Sequence, residues 1–141
     1  MDIQERKEKA KSGKEKEYTC SQCVISAVAD LLDADEVTLL KISHCFGGGI
    51  GGLEEVCGVV SAMTMAAGLV CSNADLEGNP SKMEVVEIAK ELALEFRERN
   101  KTIICREIRG TISGKPMADC DECILDGVEI LMDKLFCDRT N

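Results

Sequence analysis

The sequence has few aromatic residues, few prolines and no surplus of basic charge. Its 141 residues include three Phe, one Tyr, no Trp, two Pro and a single His. The 26 acidic residues outnumber the 17 Lys and Arg, which leaves a formal net charge of −9. Nucleic-acid binding depends on basic side chains that neutralise phosphates, so this charge balance excludes nucleic acid as a partner. Hydrophobic residues nevertheless make up 45% of the chain, enough for a packed core and too many for a fully disordered protein.

The chain also lacks an apolar segment suited to a membrane. Residues 1–18 are highly charged and contain no apolar run, so we expect neither a secretory signal nor a membrane anchor there. The longest uncharged stretch, residues 56–74, contains glycine, serine, threonine and asparagine, which favours a buried helix over a membrane span. We therefore predict no membrane insertion and a cytoplasmic location, where thiols remain reduced.

Hydrophobic periodicity predicts an all-α fold. Residues 1–18 should form a charged N-terminal tail, either flexible or a frayed helix, and residues 19–141 a single helical, cysteine-rich domain. The domain should be a bundle of about five helices, near residues 20–32, 35–46, 54–69, 81–99 and 120–136. In the second helix we expect Leu39, Ile42 and Phe46 to be buried. Thr19 and Asp119 are the expected N-caps of the first and fifth helices. The spacing of apolar residues in the fourth and fifth helices predicts buried faces that include Leu92, Phe96, Ile124 and Val128. Five glycines within residues 47–52 predict a loop between the second and third helices.

Nine cysteines are the most informative feature of the chain. Four of them fall at the starts of predicted helices: Cys20, Cys57, Cys120 and Cys123. Cys105 precedes the short segment 106–109 and could be a further case. The free N–H groups and the positive dipole end of a helix N-terminus favour thiolate over thiol. Because thiolates are metal ligands and redox nucleophiles, this placement favours chemistry over packing. Three cysteines near predicted helix C-termini are expected to be structural: Cys45, Cys71 and Cys137.

Two Cys-x-x-Cys pairs, Cys20 with Cys23 and Cys120 with Cys123, leave several interpretations open. Residues i and i+3 of a helix share a face, so each pair could bind a metal or close a reversible disulfide. Together the pairs could form a four-thiolate zinc site, although 96 residues lie between them, far more than in a zinc ribbon. Alternatively, only one cysteine of each pair is functional, and Cys23 and Cys123 are small core residues beside it.

The order of several short motifs resembles one known family. The motifs are Tyr18-Thr19-Cys20-Ser21-Gln22-Cys23-Val24, Phe46-Gly47-Gly48-Gly49, Cys57-Gly58-Val59-Val60-Ser61-Ala62, Cys105-Arg106-Glu107-Ile108 and Cys120. Over about residues 18–136 they resemble the C_GCAxxG_C_C family of redox-active proteins. The resemblance implies that the family's four cysteines are Cys20, Cys57, Cys105 and Cys120, with Cys23 and Cys123 as alternates. A related domain occurs in split-Soret cytochromes, which implies electron transfer and makes an iron–sulfur cluster the expected cofactor.

A bundle that gathers these helix starts would create a four-thiolate site suited to an iron–sulfur cluster or to zinc. The backbone N–H groups of Gly47, Gly48 and Gly49 could then hydrogen-bond the sulfurs of the cofactor. The leading prediction is an electron-transfer protein with an iron–sulfur cluster on the four cysteines. The alternatives are a metal-free thiol–disulfide protein that uses a Cys-x-x-Cys pair, and a zinc-stabilised helical module that binds a partner. A protein redox partner is expected, and a homodimer is left open.

Overall fold

The structure, a computed structural model, describes residues 1–137 and confirms the all-α fold. These residues form seven α-helices and no strand, whereas about five helices were expected. The helices are α1 (Ile3–Glu15), α2 (Cys20–Val28), α3 (Glu36–Ser43), α4 (Gly58–Cys71), α5 (Lys82–Asn100), α6 (Cys105–Arg109) and α7 (Cys120–Ile130). The two additional helices are α1 and the short α6. Residues 138–141, which the predicted domain included, lie outside the described part of the chain.

Helix α1 occupies the segment that the sequence predicted to be a charged tail or a frayed helix. Asp2 caps its N-terminus, where the side chains of Asp2 and Glu5 each accept a backbone N–H. The helix packs against α2 and α7, with Ala10 fully buried. Arg6 is only 2% exposed and donates to both carboxylate oxygens of Asp30, at 2.6 and 3.0 Å. Arg6 also donates to the Ala27 carbonyl oxygen over 3.0 Å, so this buried side chain anchors on α2 a helix that has little apolar surface.

Helix α2 lies at the centre of the bundle. It packs against α1, α3, α4 and α7, and its residues 21–28 are all buried. Thr19 is its N-cap, as the sequence predicted, and the Thr19 backbone N–H donates to Gln22 Oε1 over 2.9 Å. Cys20 is the one residue of α2 that is not fully buried. The central helix therefore approaches a surface at its N-terminal end.

Helix α3 is followed by a 3-10 turn, His44–Phe46, and its buried face differs from the predicted one. Leu39 is buried as expected, but the predicted burial of Ile42 and Phe46 is wrong, since they are 59% and 36% exposed. Ser43 faces the core in their place, and its carbonyl oxygen accepts a hydrogen bond from Ser21 Oγ over 2.6 Å. This polar contact with α2 determines which side of α3 is buried.

Helix α4 begins at Gly58 and not at Glu54, where the sequence predicted its start. Residues 55–57 are not helical, because their backbone pairs with residues 103–105 and Val56 forms an isolated antiparallel bridge with Ile104. Helix α4 then packs between α2 and α5. The bridge joins two parts of the chain that are remote in sequence, and this pairing positions the functional site.

Helices α5 and α7 complete the bundle. Leu92 and Phe96 are buried on α5, and Ile124 and Val128 are buried on α7, as their spacing predicted. Asp119 caps α7, and its Oδ1 accepts the N–H groups of the first turn. A π-helical segment, Leu131–Leu135, continues α7. Within residues 1–137, none of the helices combines the length and the apolar character that crossing a membrane requires.

A cysteine-lined cavity as the candidate functional site

The N-terminal ends of α2, α4, α6 and α7 surround one cavity of about 450 Å³. Its lining contains five cysteines, two basic residues, several glycines and a few other side chains: Lys14, Thr19, Cys20, Gly47, Gly48, Gly52, Cys57, Gly58, Val59, Cys105, Ile108, Arg109, Cys120 and Cys123. The structure thus brings together all four cysteines that the family resemblance implied, with Cys123 beside them. Each of the four is the first residue or the N-cap of a helix.

A short backbone pairing places Cys57 beside Cys105. The N–H of Cys57 donates to the carbonyl oxygen of Ile103 over 2.7 Å, and the N–H of Cys105 donates to that of Glu55 over 2.6 Å. These hydrogen bonds flank the antiparallel bridge described above, so the two cysteines share one face of the paired segments. Because α4 and α6 start directly after this pairing, it brings two helix N-termini to the same cavity.

Glycine packing brings Cys20 to that cavity as well. A Cβ at Gly58, the first residue of α4, would lie 2.6 Å from Cys20 Sγ and 3.0 Å from the Phe46 carbonyl oxygen, so it would displace the Cys20 thiol. A Cβ at Gly47 would collide with the Thr19 side chain, whose hydroxyl donates to the His44 carbonyl oxygen over 3.1 Å. Glycine at these two positions lets α2, α4 and the loop between α3 and α4 approach closely without displacing Cys20 or Thr19.

Cys120 and Cys123 occupy the first turn of α7 and differ in exposure. Cys120 is exposed, whereas Cys123 is 1% exposed. The Cys123 thiol donates a weak hydrogen bond to Asn100 Oδ1, 3.7 Å away. Asn100 is itself oriented by its Nδ2, which donates to the Phe96 carbonyl oxygen over 3.3 Å. Helix α7 therefore contributes one solvent-accessible thiol and one buried, hydrogen-bonded thiol to the cavity.

The glycine-rich loop forms part of the cavity wall in a left-handed conformation. Residues 48–52 all have φ angles between 58° and 80°. Of the three glycines predicted to bind a cofactor, Gly47 and Gly48 line the cavity. Gly49 does not; a Cβ there would lie 2.8 Å from Cys105 Cβ, so Gly49 packs against Cys105 instead. The loop thus contributes both to the wall and to the position of one cysteine.

Burial raises the pKa of the inner thiols. It raises the pKa of Cys57 to about 12 and that of Cys105 above its ordinary value, and the charge of neighbouring thiolates adds to both effects. The pKa of Cys123 is also raised, chiefly by burial and then by the charge of Cys57. A buried thiolate is unfavourable without a compensating cation. The cavity therefore favours neutral thiols until a cation replaces their protons.

Two basic side chains on the cavity, Lys14 and Arg109, were not identified from the sequence. The pKa of Arg109 is raised, first by the charge of Cys105 and also by a side-chain hydrogen bond to Cys120. Lys14 pairs with Asp121 over 3.0 Å, and this contact raises the Lys14 pKa. Lys14 lies in the segment expected to be a tail. The i, i+4 spacing of Cys105 and Arg109 would have indicated a shared face, had α6 been predicted as a helix.

Other described cysteines lie outside the cavity lining. Cys23 is fully buried, its thiol lies 3.8 Å from the Tyr18 carbonyl oxygen, and burial raises its pKa to about 11. These surroundings match the interpretation of Cys23 as a core residue beside a functional partner. Cys45 and Cys137 are exposed, and Cys71 is half-buried at the C-terminal end of α4.

The cavity thiols surround a space without meeting at one point. Across residues 1–137, no three His, Cys, Asp or Glu side chains form a group that could hold a metal ion. A tetrahedral zinc site requires four ligands at about 2.0–2.3 Å from a single ion. The described residues do not present such a preformed single-ion geometry.

Residues 18–134 match the family described as "Putative redox-active protein (C_GCAxxG_C_C)". Because this match covers most of the chain, the protein belongs to the C_GCAxxG_C_C family of redox-active proteins. The chain matches no curated protein and no solved structure. All five cavity cysteines lie within the matched residues, whereas helix α1, with Lys14, lies outside them.

Proposed function

We propose that the protein transfers electrons through an iron–sulfur cluster held in the cysteine-lined cavity. Cys20, Cys57, Cys105 and Cys120 would be its ligands, since clusters of this kind are held by four Cys thiolates. When bound, the cluster would supply one-electron redox chemistry. The observation that carries the proposal is that four cysteines from four separate helix starts line one cavity.

The charges around the cavity suit such a cofactor. Cys20, Cys57 and Cys120 each stand at the first residue or N-cap of a helix of two or more turns, beside the positive end of its dipole. Arg109 and Lys14 add two full positive charges to the cavity wall. Together these groups would offset the negative charge of thiolates and bound sulfide.

A cluster fits the arrangement better than a single zinc ion. Thiolates that bind one zinc ion must approach a common point, whereas thiolates of a cluster bind different irons and stand further apart. Here five cysteines line a cavity of about 450 Å³, and a cavity of this size supports the cluster over the zinc-stabilised interaction module.

The net charge of −9 supports a redox partner with a basic docking surface. Complementary charges steer such partners together, and salt screens that attraction. We therefore propose that electron transfer to a basic carrier protein slows as the ionic strength increases.

Anaerobic reconstitution of the purified protein with iron and sulfide tests the proposed cofactor. We expect iron and sulfide to bind in equal amounts and to give visible absorption that decreases on reduction. Separate substitutions Cys20→Ser, Cys57→Ser, Cys105→Ser and Cys120→Ser should each weaken binding by at least about tenfold. The proposal is wrong if all four variants retain the cluster, or if the wild type binds one zinc ion and no sulfide.

Two further cysteine variants serve as controls. Cys71→Ser is the matched control, because Cys71 lies at the opposite end of α4 from Cys57 and outside the cavity lining. It should load iron and sulfide as the wild type does. Cys123→Ser tests whether Cys120 or Cys123 is the ligand from α7. If Cys120 is the ligand, Cys123→Ser should still bind iron and sulfide, and Cys120→Ser should bind them more weakly.

A metal-free dithiol is the second candidate, with Cys120 and Cys123 as its reactive pair. Both thiols line the cavity and one is exposed to an oxidant, whereas Cys23 of the other pair lies outside the lining. Oxidation would join the two sulfurs, pass two electrons to the oxidant and release two protons. Treatment of the metal-free protein with oxidised glutathione should then remove two thiols, and Cys123→Ser should prevent this disulfide. Retention of every thiol would exclude this function.

A further inference from the structure

The outer wall of the cavity places Arg109 beside Cys120, because both residues belong to the lining of the cysteine-lined cavity. Arg109 is the last residue of α6, and the charge of Cys105, followed by interactions with Cys120, raises the Arg109 pKa. Arg109 and Cys120 also line a second, open cavity that includes residues 116–119. The two residues therefore lie between the cysteine-lined cavity and the solvent.

Glu54 holds Arg109 from the other side. Glu54 Oε1 lies 3.4 Å from Arg109 Nη1 and accepts a hydrogen bond from Thr111 Oγ1 over 2.9 Å. Its backbone N–H donates to the Gly48 carbonyl oxygen over 2.9 Å, and its carbonyl oxygen accepts the N–H of Arg106 over 3.0 Å. Glu54 has a φ of 58°, which is unfavourable for a residue with a Cβ. The surrounding hydrogen bonds thus keep Glu54 in a strained conformation from which its carboxylate reaches Arg109.

We propose that Arg109 is a positioning residue for Cys120 that keeps a positive charge beside this sulfur and raises the reduction potential of the cluster. This inference rests on the proposed function, although the charge beside Cys120 is present with or without a cofactor. Reduction adds negative charge to a cluster, so a nearby cation stabilises the reduced form. Of the four proposed ligands only Cys120 is exposed, so the charge acts where a redox partner comes closest.

A guanidinium group suits this role because it has several donors and can keep its contact with Glu54 while its charge faces Cys120. Its planar group of donors can reach the Cys120 sulfur and the Glu54 carboxylate together, whereas an ammonium group is a single compact charge. Arg109→Lys should therefore keep part of the effect, and Arg109→Gln should abolish it. Arg106→Gln is the matched control, since Arg106 lies in the same helix, pairs with Glu55 and does not line the cavity.

Alkylation of the metal-free protein tests the charge without any cofactor. Iodoacetate is an anion and iodoacetamide is neutral, but both react with the thiolate form of cysteine. The rate with iodoacetate divided by the rate with iodoacetamide at Cys120 therefore cancels the thiolate fraction and reports the local charge. Arg109→Gln should lower this ratio about fourfold, the effect of one charge at about 5 Å in water. Arg106→Gln should leave it unchanged. An unchanged ratio in Arg109→Gln would overturn the inference whether or not a cluster binds.

Redox titration of the reconstituted protein tests the effect on potential. Arg109→Gln should contain as much iron and sulfide as the wild type, but its midpoint potential should be lower. Arg109→Lys should show a smaller decrease, and Arg106→Gln none. A wild-type potential in Arg109→Gln would overturn the tuning role. If the wild type binds no iron and sulfide while the alkylation ratio still falls in Arg109→Gln, the proposed function fails and the charge contact at Cys120 stands.

Discussion

Cys57 and Cys23 show how strongly burial changes a single thiol. Burial raises the pKa of Cys57 to about 12 and that of Cys23 to about 11, from an ordinary value of 9.0. Both thiols therefore stay protonated at neutral pH in the metal-free protein. For Cys57, cofactor binding must displace this proton, so loading should release protons and weaken as the pH falls.

The raised pKa of Cys57 predicts that the metal-free protein loses stability above about pH 9. The unfolded chain releases this proton near pH 9.0, whereas the folded state keeps it up to about pH 12. In this interval the unfolded state binds fewer protons, so the free energy of unfolding falls as pH rises, by up to about 1.4 kcal/mol per pH unit for each such thiol. Urea unfolding at a series of pH values measures the slope.

Two variants make this pH prediction specific. Cys57→Ser should show a shallower slope, because serine does not titrate in this range. Cys45→Ser should keep the wild-type slope, because Cys45 is exposed. Identical slopes in all three proteins would contradict a shielded thiol at Cys57.

At the scale of elements, helix α4 contains two glycines with opposite structural roles. A Cβ at Gly58 would lie 2.6 Å from Cys20 Sγ and 3.0 Å from the Phe46 carbonyl oxygen, whereas a Cβ at Gly68 would meet nothing within 4 Å. Gly58 is therefore required for the approach of α4 to α2. Gly68 has no such packing role, and it lowers stability because it increases the conformational entropy of the unfolded chain.

The two glycines predict opposite effects of the same substitution. Gly58→Ala should destabilise the protein by about 1–3 kcal/mol and reduce iron loading, because it displaces Cys20. Gly68→Ala should stabilise it by about 0.5–1 kcal/mol and leave loading unchanged. Urea unfolding and iron analysis of both variants test this pair. Equal effects in the two variants would contradict the close approach at Gly58.

In helix α1 we expect alanine substitution of two charged residues to change the free energy of unfolding by different amounts. Arg6→Ala should cost about 1–3 kcal/mol, because it removes charge-assisted hydrogen bonds from a 2%-exposed site and leaves Asp30 without its partner. Lys9→Ala should cost less than about 0.5 kcal/mol, because the pair of Lys9 with Glu36 is largely exposed. Thermal unfolding compares the two. A negligible effect of Arg6→Ala would favour the loosely attached tail that the sequence suggested.

At the scale of the whole molecule, local signals in the sequence predicted α2, α3, α4, α5 and α7 but not all of their contacts. Thr19 and Asp119 cap helices as expected, because capping depends on neighbouring residues. The pairing of residues 55–57 with residues 103–105 was not predicted, since it joins remote segments and leaves no alternating pattern. For this reason the four cysteine positions were inferred from motifs, whereas Arg109 on the same cavity was not.

Because the cavity draws on four helices, a bound cluster would join distant parts of the chain. A ligand that binds only the folded state stabilises it by RT ln(1 + L/Kd), where L is the free ligand concentration. The reconstituted protein should therefore unfold at a higher temperature than the metal-free protein, and removal of iron by a chelator should reverse the increase. Cys71→Ser should show the same increase as the wild type, and Cys105→Ser should show a smaller one. Equal unfolding temperatures with and without iron would contradict a cofactor bound by all four helices.

Iron, sulfide and zinc content of protein isolated from cells without exposure to oxygen tests the proposed cluster most directly. A cluster on Cys20, Cys57, Cys105 and Cys120 predicts equal amounts of iron and inorganic sulfide, about two or four of each per chain, and little zinc. One zinc ion per chain without sulfide, or protein free of both iron and sulfide, would contradict it.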